Sequence, residues 1–218
     1  MNVPNALTLL RVFFAIVVFF CIAVSRFDFA LLFFVLASLT DFLDGWWARK
    51  FQQMTVFGRI MDPFADKFLI CGTFICLVAV PELTQGQILA WLSLQPWMVI
   101  IIVGRELLIT SLRAVVESSG GDFSAKWIGK WKMGVQCVAV IACFAYLSAM
   151  QSADSPFVRL FFFLFPPVHG PYVPITLLVV LYFTWLLFLL ATVIITLYSG
   201  VSYCVNAARM IRGNQGAD

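Results

Sequence analysis

Four aspartates lie close together in a chain that otherwise contains few charged residues. They are Asp41, Asp44, Asp62 and Asp66, and they fall within 26 positions. Residues three or four apart share one face of a helix, so the spacing groups Asp41 with Asp44 and Asp62 with Asp66. If the two helices run antiparallel through a short turn, both carboxylate pairs can face each other at one end of the helix pair.

Such a cluster is unfavourable near hydrocarbon, because ionised carboxylates lose hydration there and repel one another. The basic residues nearby in sequence, Arg49, Arg59 and Lys67, do not obviously match four acids. Oxygen ligands suit a hard ion, Mg²⁺ or Mn²⁺, and not zinc, and Mg²⁺ usually combines a few carboxylates with substrate phosphate. The cluster therefore predicts a phosphate-bearing substrate. For Asp62 alone, the alternative is a helix N-cap before Pro63.

Small residues beside the aspartates predict a groove. Gly45 and Ala48 follow Asp44 by one and four positions, and Gly58 lies in the expected turn. Without bulky side chains at these positions, a ligand can approach the backbone closely. The alternative is that the small residues serve close contacts between helices.

The composition indicates which elements position these residues. Hydrophobic residues make up 62% of the 218 positions and charged residues 11%, with a mean hydropathy of +0.99, which favours a small membrane bundle over a water-soluble domain. A bilayer-spanning helix needs about 20 mostly apolar residues. The sequence predicts an all-α polytopic membrane protein with six spans, at Leu7–Val24, Ala30–Trp47, Phe64–Val80, Ala90–Leu112, Trp127–Met150 and Ile175–Tyr198.

The positive charges predict the orientation of the spans. Twelve lysines and arginines fall on one side of the six-span arrangement, and two, Arg26 and Arg159, fall on the other. Because cytoplasmic loops carry an excess of basic residues, both termini and the aspartates are expected at the cytoplasmic face. The single domain, residues 1–218, includes a non-spanning insertion at about 150–174, whose apolar run is too short to cross. The first span is expected to be retained, since no basic residue precedes Arg11 as in a cleaved signal peptide.

The aspartates belong to a longer pattern that resembles a known family. The residues Asp41-x2-Asp44-Gly45-x2-Ala48-Arg49-x8-Gly58-x3-Asp62-x3-Asp66 match the signature of the CDP-alcohol phosphatidyltransferases at every defined position. Further segments resemble the bacterial phosphatidylglycerophosphate synthases within that family: NVPNALTLLR at 2–11, GRELLITSLR at 104–113, WIGKWKMGVQ at 127–136 and YSGVSY at 198–203. These segments are distributed along the chain from residue 2 to residue 203, and none of them lies within residues 150–174.

The resemblance implies an enzyme of phospholipid biosynthesis with six membrane helices. It also implies a homodimer in the cell inner (cytoplasmic) membrane, with the active site facing the cytoplasm. Such an enzyme transfers a phosphatidyl group from CDP-diacylglycerol to an alcohol and releases CMP. The resemblance also implies two divalent ions, Mg²⁺ or Mn²⁺, with Asp41, Asp44 and Asp62 as ligands and with Asp66 near the second ion as general base. It places Gly45, Ala48, Arg49 and Gly58 at the CDP-donor site.

Other polar residues are expected to bind the two substrates. Asn5, Thr8 and Arg11 share one face of the first span by their i,i+3 spacing and are expected to reach the donor headgroup. Glycerol 3-phosphate, the expected acceptor, carries a phosphate, which needs fixed cations to bind it. The planar guanidinium of arginine suits this role, because it can donate two parallel hydrogen bonds to a phosphate. The candidates for this role are Arg105, Arg113, Lys130, Lys132 and Lys67. Alternatively, Arg105 and Arg113 anchor the helix ends by the positive-inside rule or pair with Glu106 and Glu117.

Three other functions stay open. Within the family, the acceptor could be serine, inositol phosphate or phosphatidylglycerol (as in a cardiolipin synthase), and an acceptor without a phosphate would not need Arg105 and Arg113. A divalent-cation transporter would use the acidic cluster for permeation, although it would need carboxylates near mid-membrane. A structural membrane protein would tolerate Asp41→Asn or Asp66→Asn. No basic patch indicates a nucleic-acid partner.

Overall fold

Helices make up the regular structure of the described part of the chain. The computed structural model describes the backbone of residues 3–51, 56–84, 93–118, 128–151 and 175–214, and the side chains of residues 5–41, 61–84, 93–112, 132–151 and 176–205. Within these ranges there is no strand, so the all-α prediction is confirmed. The helices are α1 (Val3–Ala23), α2 (Phe27–Phe51), α3 (Val56–Val78), α4 (Pro81–Thr84), α5 (Pro96–Ser118), α6 (Ile128–Gln151) and α7 (Ile175–Asn214).

A three-residue turn, residues 24–26, joins α1 to α2. Ser25 adopts the left-handed conformation with φ 55°, which commonly ends a helix. The backbone N–H of Ser25 donates to the carbonyl of Ile22 at 3.0 Å, and that of Arg26 donates to Cys21 at 2.8 Å. These bonds satisfy the last carbonyls of α1, and the short turn makes α1 and α2 antiparallel neighbours.

Helix α3 begins earlier than the sequence predicts. It starts at Val56 and contains Pro63 in its interior, whereas the predicted span starts at Phe64. The interpretation of Asp62 as an N-cap is therefore wrong, because six helical residues precede Asp62. Proline has no N–H to donate to the preceding turn, so α3 continues through Pro63 with one backbone bond fewer. Asp62 and Asp66 consequently lie in the first half of α3, one turn apart.

The six long helices among the described residues pack as a closed ring in the order α1, α2, α6, α7, α5, α3. Each helix contacts its two neighbours in that order, and α3 also contacts α2 and α6 across the middle. Aromatic rings fill two of these contacts: Phe34 of α2 meets Phe144 of α6 at 6.0 Å between centroids, and Tyr146 of α6 stacks on Trp185 of α7 at 6.1 Å. The interior is therefore a packed apolar core.

The outer surface of this ring suits hydrocarbon. Large apolar side chains such as Phe13, Phe20, Ile100 and Leu187 are more than half exposed, and a water-soluble protein rarely exposes so many. By length and composition, three of the described segments can cross a membrane: Asn5–Ala23, Lys132–Gln151 and Thr176–Val205. The membrane character is thus supported, while crossing by α2, α3 and α5 and the orientation of the termini stay predictions.

Other helix boundaries also differ from the predicted spans. Helix α5 begins at Pro96 rather than at Ala90, and α7 runs on to Asn214, well beyond the predicted end at Tyr198. Apart from the end of α6, the predicted insertion at 150–174 lies outside the described residues.

Candidate active site

Three of the four aspartates converge at one end of the ring. Asp41 comes from the second half of α2, and Asp62 and Asp66 come from the first half of α3. Helix α1 supplies their partners: the hydroxyl of Thr8 donates to Oδ1 of Asp62 at 2.6 Å. The Nη1 of Arg11 bonds Oδ1 of Asp41 at 2.9 Å and also Oδ1 of Asp66. The structure thus brings together residues that the sequence predicted separately.

The partners on α1 are buried, while the carboxylates remain accessible. Thr8 is 0% exposed and Arg11 is 1% exposed, whereas the Asp41 and Asp66 side chains are 32% and 31% exposed. The buried residues of α1 therefore contact the aspartates on one side. The other side of the carboxylates is open, and a ligand can reach them there.

The donor set fits a hard divalent ion by its chemistry. All the candidate ligands are carboxylates, and the cation Arg11 contacts two of the three described aspartates. Among the described side chains, no three acidic, thiol or imidazole groups are close enough to form a metal site as they stand. The fourth predicted ligand, Asp44, lies in α2 with its side chain outside the described residues. The same holds for the side chains of the predicted donor-site residues Ala48 and Arg49, and for the surroundings of Gly45 and Gly58.

A second charged cluster joins α5 and α6. Glu106 of α5 forms an ion pair with Lys132 of α6, and Nη1 of Arg105 lies 3.3 Å from Oε2 of Glu106. The guanidinium of Arg105 also lies 5.6 Å from the centre of the Tyr203 ring on α7, a cation–π distance. Lys132 is only 3% exposed, so its charge depends on Glu106 for compensation. Of the predicted acceptor-binding residues, Arg113 and Lys130 have side chains outside the described residues.

A cavity of about 380 Å³ lies between α3 and α5. Lys67, which directly follows Asp66, contributes to its wall, and its ammonium lies 3.4 Å from the backbone carbonyl of Pro63. Glu106 lies on the opposite helix, and the remaining lining is mostly apolar, with Pro63, Phe64, Phe68, Cys71, Val103, Leu107 and Thr110. The wall of the cavity therefore includes Glu106 of the second cluster and Lys67, the neighbour of Asp66 in sequence.

Comparison with known proteins places this site in a family. The family model described as CDP-alcohol phosphatidyltransferase matches residues 1–201. The chain belongs to the CDP-alcohol phosphatidyltransferase family. The resemblance that the aspartate spacing indicated is therefore confirmed, and so is the prediction that the protein is an enzyme of this class.

Three relatives illustrate the similarity, and each is named CDP-diacylglycerol–glycerol-3-phosphate 3-phosphatidyltransferase. The protein of Bacillus subtilis is 34% identical over 176 residues, which cover 73% of this chain and 84% of the relative. That of Haemophilus influenzae is 35% identical over 145 residues, covering 64% and 73%. That of Escherichia coli K12 is 37% identical over 145 residues, covering 64% and 74%.

Sequence reasoning undervalued two residues of this CDP-alcohol phosphatidyltransferase. The sequence indicates Glu106 only as an alternative partner for arginines, yet Glu106 links Arg105 to Lys132 across two helices. Arg11 was expected near the donor headgroup, and the structure places it between two aspartates. The signal available in both cases was a charged residue inside an apolar segment, which usually needs a partner.

Proposed function

We propose that this enzyme transfers the phosphatidyl group from CDP-diacylglycerol to sn-glycerol 3-phosphate, giving phosphatidylglycerophosphate and CMP. The observation that carries the proposal is the convergence of Asp41, Asp62 and Asp66 on Thr8 and Arg11 in a chain of this family. The names of the relatives support the choice of acceptor.

The aspartates are assigned to catalysis. Asp41, Asp44, Asp62 and Asp66 would hold two Mg²⁺ or Mn²⁺ ions, which when bound neutralise the diphosphate of the donor and the leaving CMP. Asp66 takes the proton from the acceptor hydroxyl as its oxygen attacks the β-phosphorus. The new phosphorus–oxygen bond forms while the bond to the CMP oxygen breaks, without a covalent enzyme intermediate. The accessible side of Asp66 supports this role, because an acceptor can approach it there.

The donor is assigned to the end of the ring that contains the aspartates. The residues assigned to it are Gly45, Ala48, Arg49 and Gly58 of α2 and α3, and Asn5, Thr8 and Arg11 on the polar face of α1. In this arrangement Thr8 also orients Asp62, since its hydroxyl donates to that carboxylate from a fully buried position.

The phosphate of the acceptor is assigned to the cation cluster. Arg105 and Lys132 are held in place by Glu106, and Glu106 and Lys67 both line the cavity between α3 and α5. Arg113 and Lys130 are assigned to the same role. Fixed cations at one end and a base at the other position a small phosphorylated alcohol for attack.

The topology proposed for the enzyme has six spans, both termini in the cytoplasm, and an active site facing the cytoplasm from the inner membrane. The six long helices and their exposed apolar side chains support this arrangement. The distribution of the 14 basic residues supports the orientation, with twelve on the side of the aspartates. The functional unit is proposed to be a homodimer.

The test measures CMP release by the purified protein in detergent with CDP-diacylglycerol and Mg²⁺. Glycerol 3-phosphate, serine, inositol phosphate and phosphatidylglycerol are supplied separately, and EDTA replaces Mg²⁺ in one arm. Asp66→Asn is expected to abolish release. Asp28→Asn is the matched control, because Asp28 lies at the opposite end of α2 and bonds Ser148 of α6.

Each outcome has a distinct meaning. Release with glycerol 3-phosphate alone, dependent on Asp66 and on the ion, supports the proposal. Release with another alcohol instead would replace the acceptor but keep the roles of the aspartates. No release with any alcohol from folded protein would refute the proposed reaction.

A further inference from the structure

Arg11 has an unusual environment for a charged residue of an apolar helix. Its side chain is almost completely buried, yet one guanidinium nitrogen bonds both Asp41 of α2 and Asp66 of α3. Both contacts use the same nitrogen, Nη1, and each uses one carboxylate oxygen, Oδ1. One side chain of α1 therefore joins three helices at the aspartate cluster.

The physical reason for this arrangement is mutual compensation. A guanidinium stays protonated in proteins, and burying it is unfavourable unless counter-charges and hydrogen bonds surround it. Two carboxylates at short range likewise need a cation between them, because otherwise they repel. Arg11 supplies that cation from within the chain. A divalent ion held by the same two carboxylates would compensate their charge in the same way, and the two cations could not occupy one position.

We propose that Arg11 is a positioning residue that acts as a built-in cation. It holds Asp41 and Asp66 together in the free enzyme and competes with a divalent ion for them. The inference rests on the proposed function, in which these aspartates bind divalent ions. An ion held by both carboxylates would require at least one contact of Arg11 to break. The Nη1 group released in this way would be available to a phosphate of the donor, the role assigned to Arg11 above.

The experiment compares Mn²⁺ binding by purified full-length variants in detergent, without any substrate. Free Mn²⁺ is measured by its electron paramagnetic resonance signal during titration. Arg11→Met is expected to bind Mn²⁺ at least about tenfold more tightly than the wild type, because a competing charge at contact distance is removed. Arg11→Gln carries the same expectation and retains a hydrogen-bonding end in case Arg11→Met does not fold. Arg11→Lys keeps the charge and is expected to bind nearly as weakly as the wild type.

Arg26→Met is the matched control, because Arg26 is an exposed residue in the turn after α1. It removes the same charge from the other end of that helix and is expected to leave Mn²⁺ affinity unchanged. Thermal unfolding in EDTA provides a second readout. Arg11→Met should unfold at a lower temperature than Arg26→Met, and saturating Mn²⁺ should restore most of that loss, since the ion replaces the missing cation.

Unchanged or weaker Mn²⁺ binding by both neutral variants would overturn the inference. So would a loss of thermal stability that Mn²⁺ does not restore. Failure of the proposed function is seen separately, as absence of CMP release from the wild type with glycerol 3-phosphate. Tighter Mn²⁺ binding by Arg11→Met without that release would support the inference and refute the reaction.

Discussion

Thr8 offers a sharp test of how α1 supports the aspartates. Its hydroxyl is fully buried and donates to Oδ1 of Asp62 at 2.6 Å, so Thr8→Val removes the donor while keeping the shape of the side chain. A hydrogen bond to a charged group stabilises by about 1.5–3 kcal/mol. The lower end applies here, because Asp62 is only partly buried and water can replace part of the bond.

The functional effect of Thr8→Val should exceed the effect on stability. Removing a side chain that orients a metal-binding carboxylate typically weakens ion affinity or activity by about 10- to 100-fold. We expect the Mn²⁺ concentration for half-maximal CMP release to rise by that factor. Thr8→Ser is the matched variant, because it keeps the hydroxyl and loses one buried methyl group, at about 1 kcal/mol of stability.

The assay follows CMP release against Mn²⁺ concentration for the wild type and both variants, with thermal unfolding measured in parallel. Both variants should lose some stability, and only Thr8→Val should require much more Mn²⁺. If Thr8→Val and Thr8→Ser show the same ion dependence, the hydroxyl does not orient Asp62, and the role assigned to α1 is wrong.

Two further predictions concern the cation cluster and the packing of α1 against α3. Lys132→Met removes the cation that pairs with Glu106 and should raise the KM for glycerol 3-phosphate at least about tenfold, as the loss of one charged hydrogen bond implies. The KM for CDP-diacylglycerol, measured in the same assay, should change little, and equal changes in both values would contradict the acceptor role. Gly72→Ala would place a methyl group 2.8 and 2.9 Å from two ring carbons of Phe19. Because the ring has to move, we expect a loss of about 1–3 kcal/mol of stability. The measurement is the unfolding temperature, which should fall. An unchanged unfolding temperature would show that the ring moves freely.

Several features of this enzyme were determined by the sequence alone, because they depend on local spacing. Apolar runs of sufficient length predict helices whatever their neighbours are, and all six predicted spans overlap long helices of the structure. The family followed from the aspartate pattern, since its residues lie within 26 positions. Helix boundaries were less predictable. Proline is common at the start of a helix, so the sequence suggested that α3 begins next to Pro63. The helix instead starts at Val56 and contains Pro63 in its interior.

The contacts of the site were decided only by the tertiary structure. Thr8 and Arg11 share a face of α1 by their spacing, but their partners Asp62 and Asp66 lie 54 and 55 positions away. Those pairs depend on which helices are neighbours in the ring and on how each helix is rotated about its axis. In water-soluble proteins a polar outer face reveals that rotation. Here both the core and the outer surface are apolar, so the hydrophobic pattern does not distinguish the inward face, and packing between helices sets it instead.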